Sequence, residues 1–152
     1  MSSETVEVAE IREIMRLLPH RYPFVMIDRI IDIHGENHGI GVKNVTISEP
    51  QFQGHFPDNP VMPGVLLLEG MAQTAGVLCL RQMSEARRSG CVFYFLTIDK
   101  AKFRKPAVPG DIIHYHVNKI ANRRNMWWYR AEAKVGDTLI AEAQVGAVIT
   151  EA

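Results

Sequence analysis

The sequence predicts an α+β domain: one long central helix wrapped by a mostly antiparallel sheet of about six strands. Three observations carry that prediction. The run from Gly64 to about Met83 is apolar on nearly every side, and a helix without a polar face is a buried one. Everything after residue 90 reads as extended runs separated by turn signals. The connections between those late runs are short, which joins antiparallel neighbours.

Taken in order, residues 5 to 18 set Val6, Ile11, Ile14, Met15 and Leu18 near helical spacing, predicting a short helix that stops before Pro19. YPFVMIDRIIDI, residues 22 to 33, is β-branched and aromatic; the turn cluster GENHG follows, and residues 40 to 47 complete a predicted hairpin. A Pro/Gly loop over 54 to 63 then yields to the central helix, about 30 Å long at 1.5 Å per residue, with Pro63 suited to its first turn. Gly64, Gly70, Ala72, Ala75 and Gly76 weaken that helix by propensity, so their small size predicts close approach of neighbouring elements. SEARRSG ends it. CVFYFLTID, DIIHYHVNKI, MWWYRAEAKV and TLIAEAQVGAVIT are the predicted late strands, with turns at Pro109-Gly110, at 121 to 125 and at Gly136-Asp137.

With 152 residues, 47% of them hydrophobic, the chain is expected to be a single domain spanning 1–152. Lys plus Arg equals Asp plus Glu at 17 each, so no global field draws nucleic acid or an acidic membrane. Cys79 and Cys91 lie in or beside apolar stretches without histidines at zinc spacing, and read as buried free thiols of a reducing compartment. The first 21 residues carry four glutamates and no signal-like apolar core, and no stretch reaches the ~20 apolar residues of a membrane span. A soluble, cytoplasmic protein without a membrane partner is therefore expected.

The chemistry concentrates in GHFPDNPVMPGVLLLEGMAQ, residues 54 to 73. His55 stands on a loop braced by Pro57, Pro60 and Pro63, and Glu69 sits in the apolar helix with Gln73 one turn later. Desolvation would raise the pKa of such a carboxyl toward a value useful for proton transfer near neutral pH, unless Glu69 lies on an exposed strip. The free amides at the helix start are a donor site for negative charge. A base, an oxyanion donor and an acid in so short a span suit proton abstraction beside a carbonyl followed by loss of a leaving group. Taken alone, His55 also reads as a structural loop histidine. A metal site with Asp58, and pairs His114/His116 and His34/His38, each lack a third ligand.

Together, LPHRYPFVMIDRI (18 to 30), GHFPDNPVMPGVLLLEGMAQ and FLTIDKAKFRKPAVPGD (95 to 111) resemble the bacterial (3R)-hydroxyacyl-[acyl-carrier-protein] dehydratases of the FabZ type. The resemblance covers nearly the whole chain and rests on G-H-F-P-x-x-P-x-M-P-G-V-L-x-x-E. It implies the hot-dog fold and a homodimer that shares its active site, assembled further as a trimer of dimers. It implies His55 as catalytic base, Glu69 as catalytic acid from the facing subunit, and the Gly64 amide as the group that polarises the thioester carbonyl. Phe56 matches the family's phenylalanine after the histidine, a bond held cis in some hot-dog structures. Glutamate at 69, where the related dehydratase-isomerases carry aspartate, implies dehydration without efficient isomerisation.

Tyr94 matches an aromatic gate over the acyl tunnel in some members, or simply packs in a strand. Lys102, Arg104 and Lys105, with Lys100 and in addition Arg123 and Arg124, are candidates to dock the acidic carrier protein, or form a solvated strand edge. Neither a metal nor an organic cofactor is implied. Two other readings stay open: a hot-dog acyl thioesterase, and a non-catalytic acyl-binding protein that keeps the fold.

Overall fold

A computed structural model describes residues 6–151. Seven strands form one antiparallel sheet, one strand more than expected: β1 (Glu7–Ala9), β2 (Arg29–His34), β3 (His38–Asn44), β4 (Cys91–Phe103), β5 (Ile112–Arg123), β6 (Met126–Val135) and β7 (Thr138–Glu151), in the order β1-β2-β3-β5-β6-β7-β4. The central helix α2 (Gly64–Arg81) lies against this sheet in the hot-dog arrangement.

The extra strand corrects the N-terminal prediction. Residues 7 to 9 are not helical but pair with β2 through Glu7↔Ile33 and Ala9↔Ile30, and the helix α1 is confined to Ile11–Leu17. The β-branched Val8 suits a strand once an edge is offered to it. Position 5 lies outside the described residues. The predicted hairpin is also shorter than its apolar runs, because residues 22–28 approach it irregularly, with Tyr22–Pro23 cis. SEARRSG contains a one-turn helix, α3 (Glu85–Arg88), whose Ser84 side chain accepts the Arg87 N–H at 3.3 Å.

Residues 71–80 of α2 are all buried. By length and composition α2 would qualify to cross a bilayer, contrary to the sequence reading, but 72% of it is buried within this fold. The sheet supplies the other half of the core by alternation: Ile113, Tyr115 and Val117 on β5, Trp127, Tyr129, Ala131 and Ala133 on β6, and Ala141, Ala143, Val145 and Ile149 on β7 face inward. Close approach is visible at Gly70, where a Cβ would stand 2.5 Å from the Tyr115 ring.

The predicted late turns are present: Gly110 (φ +102°) and Gly136 (φ +59°) hold left-handed backbone, as does Arg124 (φ +60°) between β5 and β6. Cys79 and Cys91 are both free, and burial pushes the Cys79 thiol up to about 12.

β4 is the exception to burial. It is an edge strand paired only with β7, and from Tyr94 to Phe103 every residue is exposed, including Tyr94, Phe95, Leu96, Ile98 and Phe103. A long apolar edge of this kind is a surface that natural proteins ordinarily cover.

Candidate active site

The loop that carries His55 is anchored before it begins. Lys43, buried on β3, pairs with Glu49, and the other Glu49 oxygen accepts the Thr46 N–H at 2.9 Å. A 3₁₀ turn (Pro50–Gln53) then sinks Phe52 into the core, and the His55 N–H donates to the Gln51 carbonyl at 3.0 Å.

From there the loop closes on itself. The Val61 N–H donates to the His55 carbonyl at 3.0 Å, and His55 Nδ1 lies 2.7 Å from the Val61 carbonyl oxygen. A carbonyl can only accept, so Nδ1 carries the proton and Nε2 keeps its lone pair. Phe56 and Asn59 exchange two backbone hydrogen bonds inside the loop, at 3.2 and 3.0 Å. The His55–Phe56 bond is cis, and the two rings stack with centroids 4.3 Å apart.

The Met62 N–H donates to the Ala107 carbonyl at 2.8 Å, tying the loop to the connection between β4 and β5. Between them lies a cleft of about 470 Å³ lined by His55, Gly64, Leu67, Phe103, Arg104 and Lys105 among others. Gly64 opens α2, as predicted, with Pro63 at its N-cap and not inside the first turn. The first amides of a helix have no intrahelical acceptor; here the Leu66 N–H donates to the Pro63 carbonyl at 3.0 Å, while Gly64 and Val65 line the cleft. A Cβ at Gly64 would stand 2.8 Å from the Phe103 ring, so any side chain here would have to displace that ring.

Glu69 is not in that cleft. Five residues along α2 turn it about 140° away from Gly64, toward a different set of groups. Its carboxylate accepts from Gln73 Nε2 at 3.0 Å, and His20 Nε2 lies 3.5 Å from it. Gln73 is fully buried and fully used: Nε2 also donates to the Phe24 carbonyl at 2.7 Å, and Oε1 accepts the Met26 N–H at 2.8 Å. Burial lowers the pKa of His20, with Glu69 opposing and Arg21 assisting, which leaves the ring neutral near neutral pH. Its Nδ1 is buried without a partner, and the ring of Phe93 lies 5.2 Å away.

Within one chain, then, His55 and Gly64 come together and Glu69 stands apart. Phe56 sits at the loop, half exposed. Tyr94 joins neither group: it lies opposite Val148, whereas Phe93 lies opposite the inward-facing Ile149. The basic residues divide. Arg104 and Lys105 line the His55 cleft, with Arg104 paired to Glu142 at 3.2 Å, whereas Lys100 and Lys102 line a separate recess with Arg130. Arg123 and Arg124 do not adjoin them: Arg123 is in register with Met126 and Val148, six residues along β7 from the Glu142 that faces Lys102.

A family model described as the FabA-like domain matches residues 18–144. The chain belongs to the FabA-like family. Among its relatives, the 3-hydroxyacyl-[acyl-carrier-protein] dehydratase FabZ of Allorhizobium ampelinum is 60% identical over 141 residues, covering 93% of this chain and 90% of the relative. The protein of the same name from Methylobacterium sp. (strain 4-46) is 58% identical, covering 93% and 86%. The solved dehydratase heterocomplex ApeI:P of Xenorhabdus doucetiae superposes with a TM-score of 0.79 at 18% identity over 91% of both chains, which speaks for the fold.

Within this FabA-like chain, sequence reasoning gave no role to His20 or Phe93 and left Gln73 without a partner. The signals were present but mute. His20 is one residue in the matched LPHRYPF stretch, and nothing local says that it will meet a carboxylate 49 positions later. Elsewhere, Asp32 (φ +53°) bridges His34 and His38 at 3.0 and 3.1 Å. Among the described residues no group of three or more His, Cys, Asp or Glu could hold a metal ion.

Proposed function

We propose that this single-domain chain is a cytoplasmic dehydratase that converts (3R)-3-hydroxyacyl thioesters on acyl carrier protein into trans-2-enoyl thioesters for fatty acid biosynthesis. Relatives at 58% and 60% identity bear the name of that activity. The observation that carries the mechanism is the His55 geometry: its Nδ1 proton is committed to Val61, so in the neutral ring Nε2 is the nitrogen left to act as base, in a cleft that Gly64 also lines.

In the proposed reaction His55 Nε2 takes the proton from C2 of the substrate. The Gly64 N–H stabilises the charge that develops on the thioester oxygen. Glu69, held by Gln73, acts as the acid that gives a proton to the departing 3-hydroxyl; the C3–O bond breaks, water leaves, and a C2–C3 double bond forms. His55 then returns its proton to Glu69 through solvent.

Because His55 and Glu69 face different sides of one chain, the reading requires two copies. The exposed β4 edge supports a homodimer. Phe103, near the C-terminal end of β4, packs at Gly64, and Phe93, near its N-terminal end, packs at His20. Antiparallel β4–β4 pairing sets the His55 end of one copy beside the Glu69 end of the other. Three such dimers make the proposed trimer of dimers. The rim residues Arg104 and Lys105, with Lys102 in the separate recess, are the proposed docking points for the acidic carrier.

The test is incubation with a 3-hydroxyacyl thioester on carrier protein. Trans-2-enoyl product is expected; free thiol without enoyl product identifies a thioesterase, and no change identifies a non-catalytic binder.

A further inference from the structure

One ion pair, largely removed from water, takes no part in the proposed chemistry. The Lys43 side chain, on β3, is 6% exposed, and the Glu49 side chain that it meets is 18% exposed. We propose that this pair is a positioning device for His55, acting through Gln51, and that turnover depends on it although none of the three residues lines the His55 cleft. The inference rests on the dehydratase reading above.

The energetics pose the question. A buried ion pair adds little net stability, because desolvating two charges offsets their attraction, and two apolar side chains of similar volume serve a core as well. What apolar side chains cannot do is accept hydrogen bonds. Glu49 Oε1 accepts from Gln51 Nε2 at 3.1 Å as well as from Lys43 Nζ, and Oε2 accepts the Thr46 N–H at 2.9 Å. The carboxylate is thus used at both oxygens, and it ties the segment before it to the segment after it.

Gln51 passes this hold to His55. Its backbone carbonyl accepts the His55 N–H at 3.0 Å, and its side chain, besides meeting Glu49, donates to Met62 Sδ at 3.7 Å. Met62 follows Val61, whose carbonyl accepts from Nδ1 of the His55 ring at 2.7 Å. Gln51 therefore grips the loop both where it enters His55 and where it returns to the ring.

The far end of this relay is fixed. Lys43 stands in the β3 ladder, opposite Ile113 of β5, so the ring is referred to the sheet and not only to its own loop. Supporting groups locked on regular structure are what give a site its precision.

The experiment reads two quantities. One is kcat and KM with a 3-hydroxyacyl carrier thioester. The other is the His55 tautomer in the substrate-free chain, by nitrogen-15 NMR of histidine-labelled protein at about pH 8.5, where imidazoles are ordinarily neutral; His55→Ala identifies the signals. The wild-type ring is expected to be the Nδ1–H tautomer. Glu49→Ala is expected to lower kcat about 10- to 100-fold, the scale of a small misplacement of a reacting group, with KM within about twofold, and to mix the two tautomers. Glu49→Gln, which keeps an oxygen for Gln51, is expected to restore part of both.

Glu49→Ala also strands the Lys43 charge in the core, which threatens folding. Lys43→Met with Glu49→Leu removes both charges together, and Gln51→Leu leaves the pair intact and changes only a half-buried side chain. Both are expected to fold and to show the same two changes. A wild-type tautomer in the folded variants overturns the proposal whether or not kcat falls, and so does wild-type kcat. Absence of dehydration by the wild-type chain overturns the dehydratase reading instead, while the tautomer, read without substrate, still decides the positioning.

Discussion

The imidazole of His55 and the carbonyl of Val61 are joined at 2.7 Å, across a loop whose backbone closes the same two residues in the opposite sense at 3.0 Å. One contact thus fixes both the tautomer of the ring and its position beside Gly64. Removing the ring, in His55→Ala, is expected to lower kcat by about 10²- to 10⁴-fold, the usual worth of a positioned base, with the thermal transition little changed.

A shared site makes a sharper prediction. His55→Ala and Glu69→Gln chains, each inactive alone, are expected to recover about a quarter of the wild-type rate after subunit exchange, because half of the dimers are mixed and each has one intact site of two. Mass spectrometry confirms the exchange. No recovery after proven exchange would assign a complete site to one chain.

Gly64 is a steric prediction. A Cβ there would stand 2.8 Å from Phe103 Cε1, so Gly64→Ala is expected to displace the ring and lose most of the activity while the protein stays folded. Phe103→Leu in the same chain is expected to restore part of it, read as kcat/KM.

Gln73→Leu leaves the Met26 N–H and the Phe24 carbonyl without their partner in a buried setting. The expected loss is about 1–3 kcal/mol of stability, measured by denaturant titration, with slower turnover because Glu69 loses its hydrogen bond.

His20 sets a pH dependence. Its folded-state pKa is below the ordinary 6.5, first through burial and then through Arg21, with Glu69 opposing. The unfolded chain therefore binds this proton at a higher pH than the native one, and stability falls as pH drops below about 6.5 toward the depressed native value. His20→Asn is expected to flatten that part of the stability profile, compared by denaturant melts at about pH 7.5 and about pH 5.5.

The carrier contact is testable by charge. Lys102→Glu with Arg104→Glu is expected to raise KM for the carrier-bound substrate and to flatten its dependence on salt, with kcat retained.

Much of this was legible locally. Helix α2 announced itself by having no polar face, the late strands by their turn residues, and the His55 loop by its three prolines. Each of these is decided within a few residues of chain. The N-terminal strand was not legible, because a three-residue strand exists only where β2 offers it an edge.

Residue identity alone determined that a histidine, the start of an apolar helix and a glutamate lie within fifteen positions of one another. Tertiary structure decided that they do not meet inside one chain. The rotation of α2 turns Glu69 away from Gly64; His20, 49 positions away, meets its carboxylate instead, beside Gln73, which Phe24 and Met26 hold in place. The sheet order then sends β4 past its sequence neighbour β5 to the far edge beside β7. That placement leaves an apolar strand uncovered, and it follows from long-range register and side-chain packing, which no local pattern encodes.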